Sequence, residues 1–134
     1  MSEKIVHTLI HPVYNLSEFA SQANIWKQWE KNASTVIIGA NDSLTHTSYL
    51  DSIPPNSRLM LGGQTADDCV ERHLGAIAIA INEMSFNLIV ALSIPATWSM
   101  DFYEGFDPRI CSPQAVVERV NRKYGVKFAA TRNS

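Results

Sequence analysis

The chain has 134 residues, 46% of them hydrophobic and 18% charged, with a formal net charge of −2. That length fits a single α/β-sized domain, 1–134, that buries enough surface to stand without disulfides or a metal. The charge excludes an overall field drawing it to nucleic acid or anionic lipid.

Five of the eleven basic residues, Arg119, Arg122, Lys123, Lys127 and Arg132, crowd the end of the sequence. Only Tyr124 interleaves with them, so they read as a solvated helix face and not a nucleic-acid patch. Residues 1–4 are polar and no apolar run follows, so no signal peptide is expected. No stretch reaches the roughly 18 apolar residues of a membrane span. Cys69 and Cys111 are too few for a disulfide framework and suit reduced thiols of a cytoplasmic protein.

In chain order, 4–11 alternates with β-branched residues and predicts a first strand, stopped at His11-Pro12. Asn15 or Ser17 then caps a helix whose buried stripe is Phe19, Ala23, Trp26, Trp29 and Ala33. The run 35–40, with Val-Ile-Ile at its heart, predicts a strand buried on both faces. A turn over 39–43 and a weak helix over 43–52 follow, ended by Pro54-Pro55. Residues 58–61 predict a third strand, and Gly62-Gly63-Gln64-Thr65 a tight turn.

Two readings exist for what comes next. Thr65 caps a helix with Asp67 and Asp68 in its first turn, and Val70, Leu74, Ile77, Ile81 and Met84 form its inward stripe. Alternatively, the Ala-Ile alternation of 76–81 folds back on 86–90 as a β-hairpin, giving an α+β fold. Alanine disfavours strands, and the strand–helix rhythm favours the long helix. A fourth strand spans 87–93, and 95–112 is a long aromatic and acidic connection. Ser112-Pro113 opens a helix that Gly125 closes, with Val116, Val117, Val120 and Tyr124 inward. Residues 126–130 form a last strand and 131–134 a tail.

The expected fold is therefore a three-layer α/β domain, with a mostly parallel sheet of four or five strands and helices on both faces. The arrangement is Rossmann-like or flavodoxin-like. Ligands bind beyond the carboxyl ends of such strands. There the candidate ligand-binding residues are Asn41, Gly62, Gly63, Gln64, Thr65, Trp98, Asp101 and Tyr103, with His11, Asp42 and Asp67 as candidate acids or bases. The Gly-Gly turn and the following helix suit a phosphate, and Asp67 and Asp68 oppose one.

No Walker, dinucleotide, nucleophile-elbow or zinc signature is present, so no cofactor is named. A divalent cation on the aspartates would reconcile them with phosphate, but nothing requires it. Cys69 and His73, four apart, could join His7 and His11 in a zinc or thiol site. Cys69 reads better as a small hydrophobe and His73 as solvent-facing. His46, in a polar stretch, reads as a surface histidine, though it could serve as a base.

The expected function is binding of a small polar ligand, a nucleotide or phosphorylated metabolite, with hydrolysis or group transfer as the reaction if the protein is an enzyme. The rival is a non-enzymatic interaction module, an inhibitor, immunity-type protein or assembly subunit, using 98–107 against a protein partner or a second copy in a homodimer.

Overall fold

The computed structural model describes residues 4–100 and 105–134. Five strands form one sheet: β1 (Ile5–Ile10), β2 (Val36–Ile38), β3 (Arg58–Gly63), β4 (Ile89–Thr97) and β5 (Ala129–Thr131). Their order is β2-β1-β3-β4-β5 and every neighbouring pair is parallel. This is the 2-1-3-4-5 order of doubly wound sheets, in which the winding reverses between β1 and β3.

Strand alternation sends successive side chains to opposite faces. Val6, Ile10, Leu59, Leu61, Val90 and Leu92 pack with Leu74, Ile77, Val116 and Val120. Those partners belong to α2 (Glu71–Met84) and α4 (Pro113–Tyr124), which cover one face; the short α3 (Pro108–Cys111) comes just before α4. Leu9, Met60 and Ala91 pack instead with Ala23, Trp26 and Trp29 of α1 (Ala20–Glu30) on the other face. The result is three layers.

Residues 66–84 are helical throughout, beginning with one π turn, Ala66–Val70, so the 76–92 hairpin does not form. Ser85 ends α2 in the left-handed region at φ 56°. Gly75 lets α4 approach closely, since a Cβ there would sit 3.2 Å from the Tyr124 hydroxyl. The signals around α4 act as written in the sequence. The Ser112 side chain accepts a hydrogen bond from the Ala115 N–H, Pro113 takes the first position, and Gly125 closes at φ 67°.

Other local expectations are corrected. Neither Asn15 nor Ser17 caps α1 with its side chain. The helix opens through a 3-10 turn, Ser17–Phe19, and ends at Glu30, leaving Ala33 beyond it and exposed. The weak helix shrinks to a 3-10 turn, Ser48–Ser52. β2 is not buried on both faces, because it is an edge strand whose Ile37 is 45% exposed.

β4 runs on through Pro95 to Thr97 by means of a bulge. One residue lies between Leu61 and Gly63, whereas four lie between their partners Leu92 and Thr97. Proline is tolerated in such an irregularity because no ladder donor is needed. Three side chains hold the bulge. The Thr97 hydroxyl donates to the Ser93 carbonyl at 2.6 Å, the Ser93 hydroxyl donates to the Asn133 carbonyl at 2.8 Å, and the Trp26 indole N–H donates to the Ala96 carbonyl at 2.6 Å.

Candidate functional site

The carboxyl edge is shaped first by close backbone packing. Gly63 sits at φ 128°, and a Cβ there would collide with the backbone of Ile10. A Cβ on Gly62 would lie 2.8 Å from the Cβ of Ala96 in the β4 bulge. The glycine pair thus lets β3 fit between β1 and the bulge. Both glycines are buried strand residues. The seam continues past the strand ends. The Gln64 N–H donates to the Ile10 carbonyl at 2.9 Å, and the Gln64 side-chain amide donates to the His11 carbonyl at 2.8 Å.

His11 stands where the winding reverses. Its N–H donates to the Ile38 carbonyl at 2.8 Å, and its own φ of 49° turns the chain away from the sheet. Two cavities open around it. One, of about 440 Å³, is also walled by Val13, Tyr14, Glu30, Ile37, Gln64 and Thr65. The other, of about 820 Å³, is also walled by Asp42, Leu44, Thr45, Thr47, Arg72 and Glu83. His11, Ala40 and Cys69 line both.

The His11 Nε2 is buried and has no hydrogen-bond partner among the described residues. The Tyr14 hydroxyl is buried too, and the Glu30 carboxylate faces it without meeting hydrogen-bond geometry. Burial, reinforced by that carboxylate, pushes the tyrosine pKa well up.

Charge around the cavities leans negative. Glu30, Asp42 and Glu83 stand against Arg72, whose guanidinium is paired with Asp68 at 2.9 Å. The Asp42 carboxylate is itself occupied, accepting the Gly39 N–H at 2.7 Å.

Of the residues expected to act as acid or base, His11 and Asp42 line one cavity together. Asp67 does not join them, and lines a separate groove between α2 and α4 with Arg119 and Lys123. Asn41 lines a recess beside β2 with His46 and Tyr49. Gln64 and Thr65 reach the smaller cavity, but Thr65 makes no side-chain cap to the helix it precedes. Trp98 is only 7% exposed and packs edge-on against Phe19 at 4.9 Å, so its ring belongs to the core and not to a ligand-binding surface. Asp101 and Tyr103 lie outside the described residues.

The Cys69–His73 pairing is also not formed as a site. His73 does not face solvent but is fully buried. Its Nδ1 lies 2.7 Å from the Leu44 carbonyl, an acceptor, so that nitrogen carries the proton. Its Nε2 then accepts from the Tyr49 hydroxyl at 2.7 Å, and the Thr8 hydroxyl donates to Tyr49 at 3.5 Å. Burial pushes the His73 pKa down, with nearby His46 adding to it and the Leu44 bond opposing. Burial and the adjacent Asp68 charge push the Cys69 thiol up, away from the reactive thiolate. His7 packs against Trp29 with ring centroids 4.2 Å apart and the planes tilted by 34°, far down β1 from the cavities. Among the described residues no three His, Cys, Asp or Glu side chains form a metal-holding group.

Tyr14 and Glu30 belong to the site although sequence reasoning passed over them. Tyr14 had a readable signal, since it lies just past the strand-ending His11-Pro12. Glu30 had none, because it arrives from the last turn of α1. Comparison of the chain with protein-family models, curated proteins and solved structures finds no match.

Proposed function

We propose that the protein binds a small polar molecule at the carboxyl edge of the sheet, in the cavities around His11. The observation that carries this is the buried, unpartnered His11 Nε2 at the reversal of the strand order. An unmade hydrogen bond on a buried polar atom costs about 1–3 kcal/mol, which a bound ligand's hydrogen bond would offset. Both cavity volumes fall in the range of small-molecule sites.

The phosphate expectation gains no support from the helix start. The Ala66 N–H is taken by the Trp98 carbonyl at 3.0 Å, and the Asp68 and Val70 N–H groups by the Thr65 carbonyl. Asp67 and Asp68 add repulsion there. The raised Cys69 pKa removes a thiol nucleophile beside His11 from the candidates.

A thermal-shift screen of polar metabolites tests the reading. A ligand at ~100 times its dissociation constant adds about 2.7 kcal/mol of stability. The expected result is a shift in the wild type that His11→Ala abolishes. Hits that shift His11→Ala equally would sink it.

The interaction-module reading retains one support. Phe106, inside the 98–107 connection, and Ile110, just past it, are 47% and 59% exposed. Under that reading they form the contact of a homodimer or of a protein partner, and Phe106→Ser with Ile110→Ser would lower the sedimenting mass or abolish partner capture. A reducing, cytoplasmic setting suits the two free cysteines.

A further inference from the structure

We infer that the smaller cavity recognises a cationic amine carried on a short apolar body, an assignment that rests on the binding reading above. A protonated primary amine offers three N–H donors and no acceptor. The cavity offers the Glu30 carboxylate and the Tyr14 hydroxyl as acceptors, and the bare Nε2 of His11 as a third in the tautomer that holds the proton on Nδ1. The His11 atom is buried and makes no hydrogen bond within the described protein, the buried Tyr14 hydroxyl faces only the Glu30 carboxylate, and Glu30 makes no ion pair there.

Charge selects in the same direction. Among the described residues no Lys or Arg lines this cavity, so an anion would meet Glu30 with no cation to balance it. The rest of the wall narrows the ligand further. Pro12, Val13 and Ile37 present hydrocarbon, which suits a compact apolar body and not a polyol that needs polar partners on every side. The raised Tyr14 pKa keeps its hydroxyl neutral, so Glu30 is the charge that the ammonium meets.

The test uses the full chain and three probes of matched shape: phenethylamine, 2-phenylethanol and phenylacetate. Titrations followed by amide NMR give affinities and locate binding. The amine is expected to bind roughly tenfold or more tighter than the alcohol, as a hydrogen bond to a charged group should. Phenylacetate is expected to bind more weakly still. Perturbed amides should cluster at 11–14 and 64–69.

Glu30→Gln keeps the side chain's shape and is expected to remove most of the amine's advantage while leaving the alcohol's affinity unchanged. Its melting temperature, measured alongside, shows that the fold is intact. Equal binding of all three probes, or an unchanged amine affinity in Glu30→Gln, overturns the amine assignment. If no probe binds while the metabolite screen yields a His11-dependent hit, the assignment fails and the binding reading stands. If the screen is also empty, both fail.

Discussion

The Tyr49 hydroxyl lies 2.7 Å from the Nε2 of His73, a fully buried imidazole in the middle of the α2 layer. That bond, with the Leu44 carbonyl on Nδ1, ties the 44–52 segment to α2 and satisfies both ring nitrogens. Tyr49→Phe leaves Nε2 buried without a donor. The expected loss is about 1–3 kcal/mol, seen as a lower urea midpoint with unchanged slope. A change within experimental error would mean that water replaces the hydroxyl.

Stability should fall as the solution is acidified below about pH 6.5, the ordinary histidine value. Burial lowers the pKa of both His73 and His7 in the folded chain. The unfolded chain therefore takes up these protons first, and stability is lost as pH falls from 6.5 toward the folded values. Urea midpoints at pH 7.5 and 5.5 measure the loss. His73→Gln should show a smaller difference between the two, and an equal difference would assign the effect elsewhere.

Gly63→Ala should be among the most damaging single-methyl additions in the chain. The residue is held at φ 128°, and the new Cβ would meet the Ile10 backbone, which is fixed in the centre of the sheet. A loss of more than about 3 kcal/mol is expected, from backbone strain and overpacking together. Circular-dichroism melting checks it, and a near-native melt would show that the β1–β3 seam can open.

Thr65→Ala should change stability by less than about 0.5 kcal/mol, the usual range where no specific feature is removed. Its hydroxyl makes no cap, and the carbonyl that organises the helix start remains. Because Thr65 lines the smaller cavity, ligand affinity should respond more than the melting temperature does. A loss near 1 kcal/mol without ligand would show a capping role in solution.

What the sequence revealed was what is written locally. Ser112, Pro113 and Gly125 mark α4 because a cap, a first-turn proline and a left-handed glycine act on their own neighbours. The Ile and Leu stripe of α2 outweighed the Ala-Ile alternation for the same reason, since helix propensity is a property of the segment. What escaped was set from a distance. Trp98 looked like a ligand-binding residue because nothing nearby announces Phe19, some eighty positions earlier, as its packing partner. His73 looked solvent-facing because Leu44 and Tyr49 reach it from another segment. Asp67 and His11 looked like one site because both follow strands, but the helix start turns Asp67 toward α4. Gly62-Gly63 was legible as a close approach, yet the approaching group is protein backbone.

The position of β1 has a consequence for how the chain is made. It is synthesised before the other four strands of the sheet, yet it ends as an interior strand whose two edges are filled by later segments. β2 pairs only with Thr8, Leu9 and Ile10, so the other half of β1 must wait for β3, which the ribosome delivers about fifty residues later. Until then, an apolar strand with open edges and a helix bearing Trp26 and Trp29 have no sheet to cover. Such nascent intermediates are the ones that aggregate. Expression temperature and chaperone supply should therefore govern the soluble yield of this protein more strongly than the stability of its finished fold.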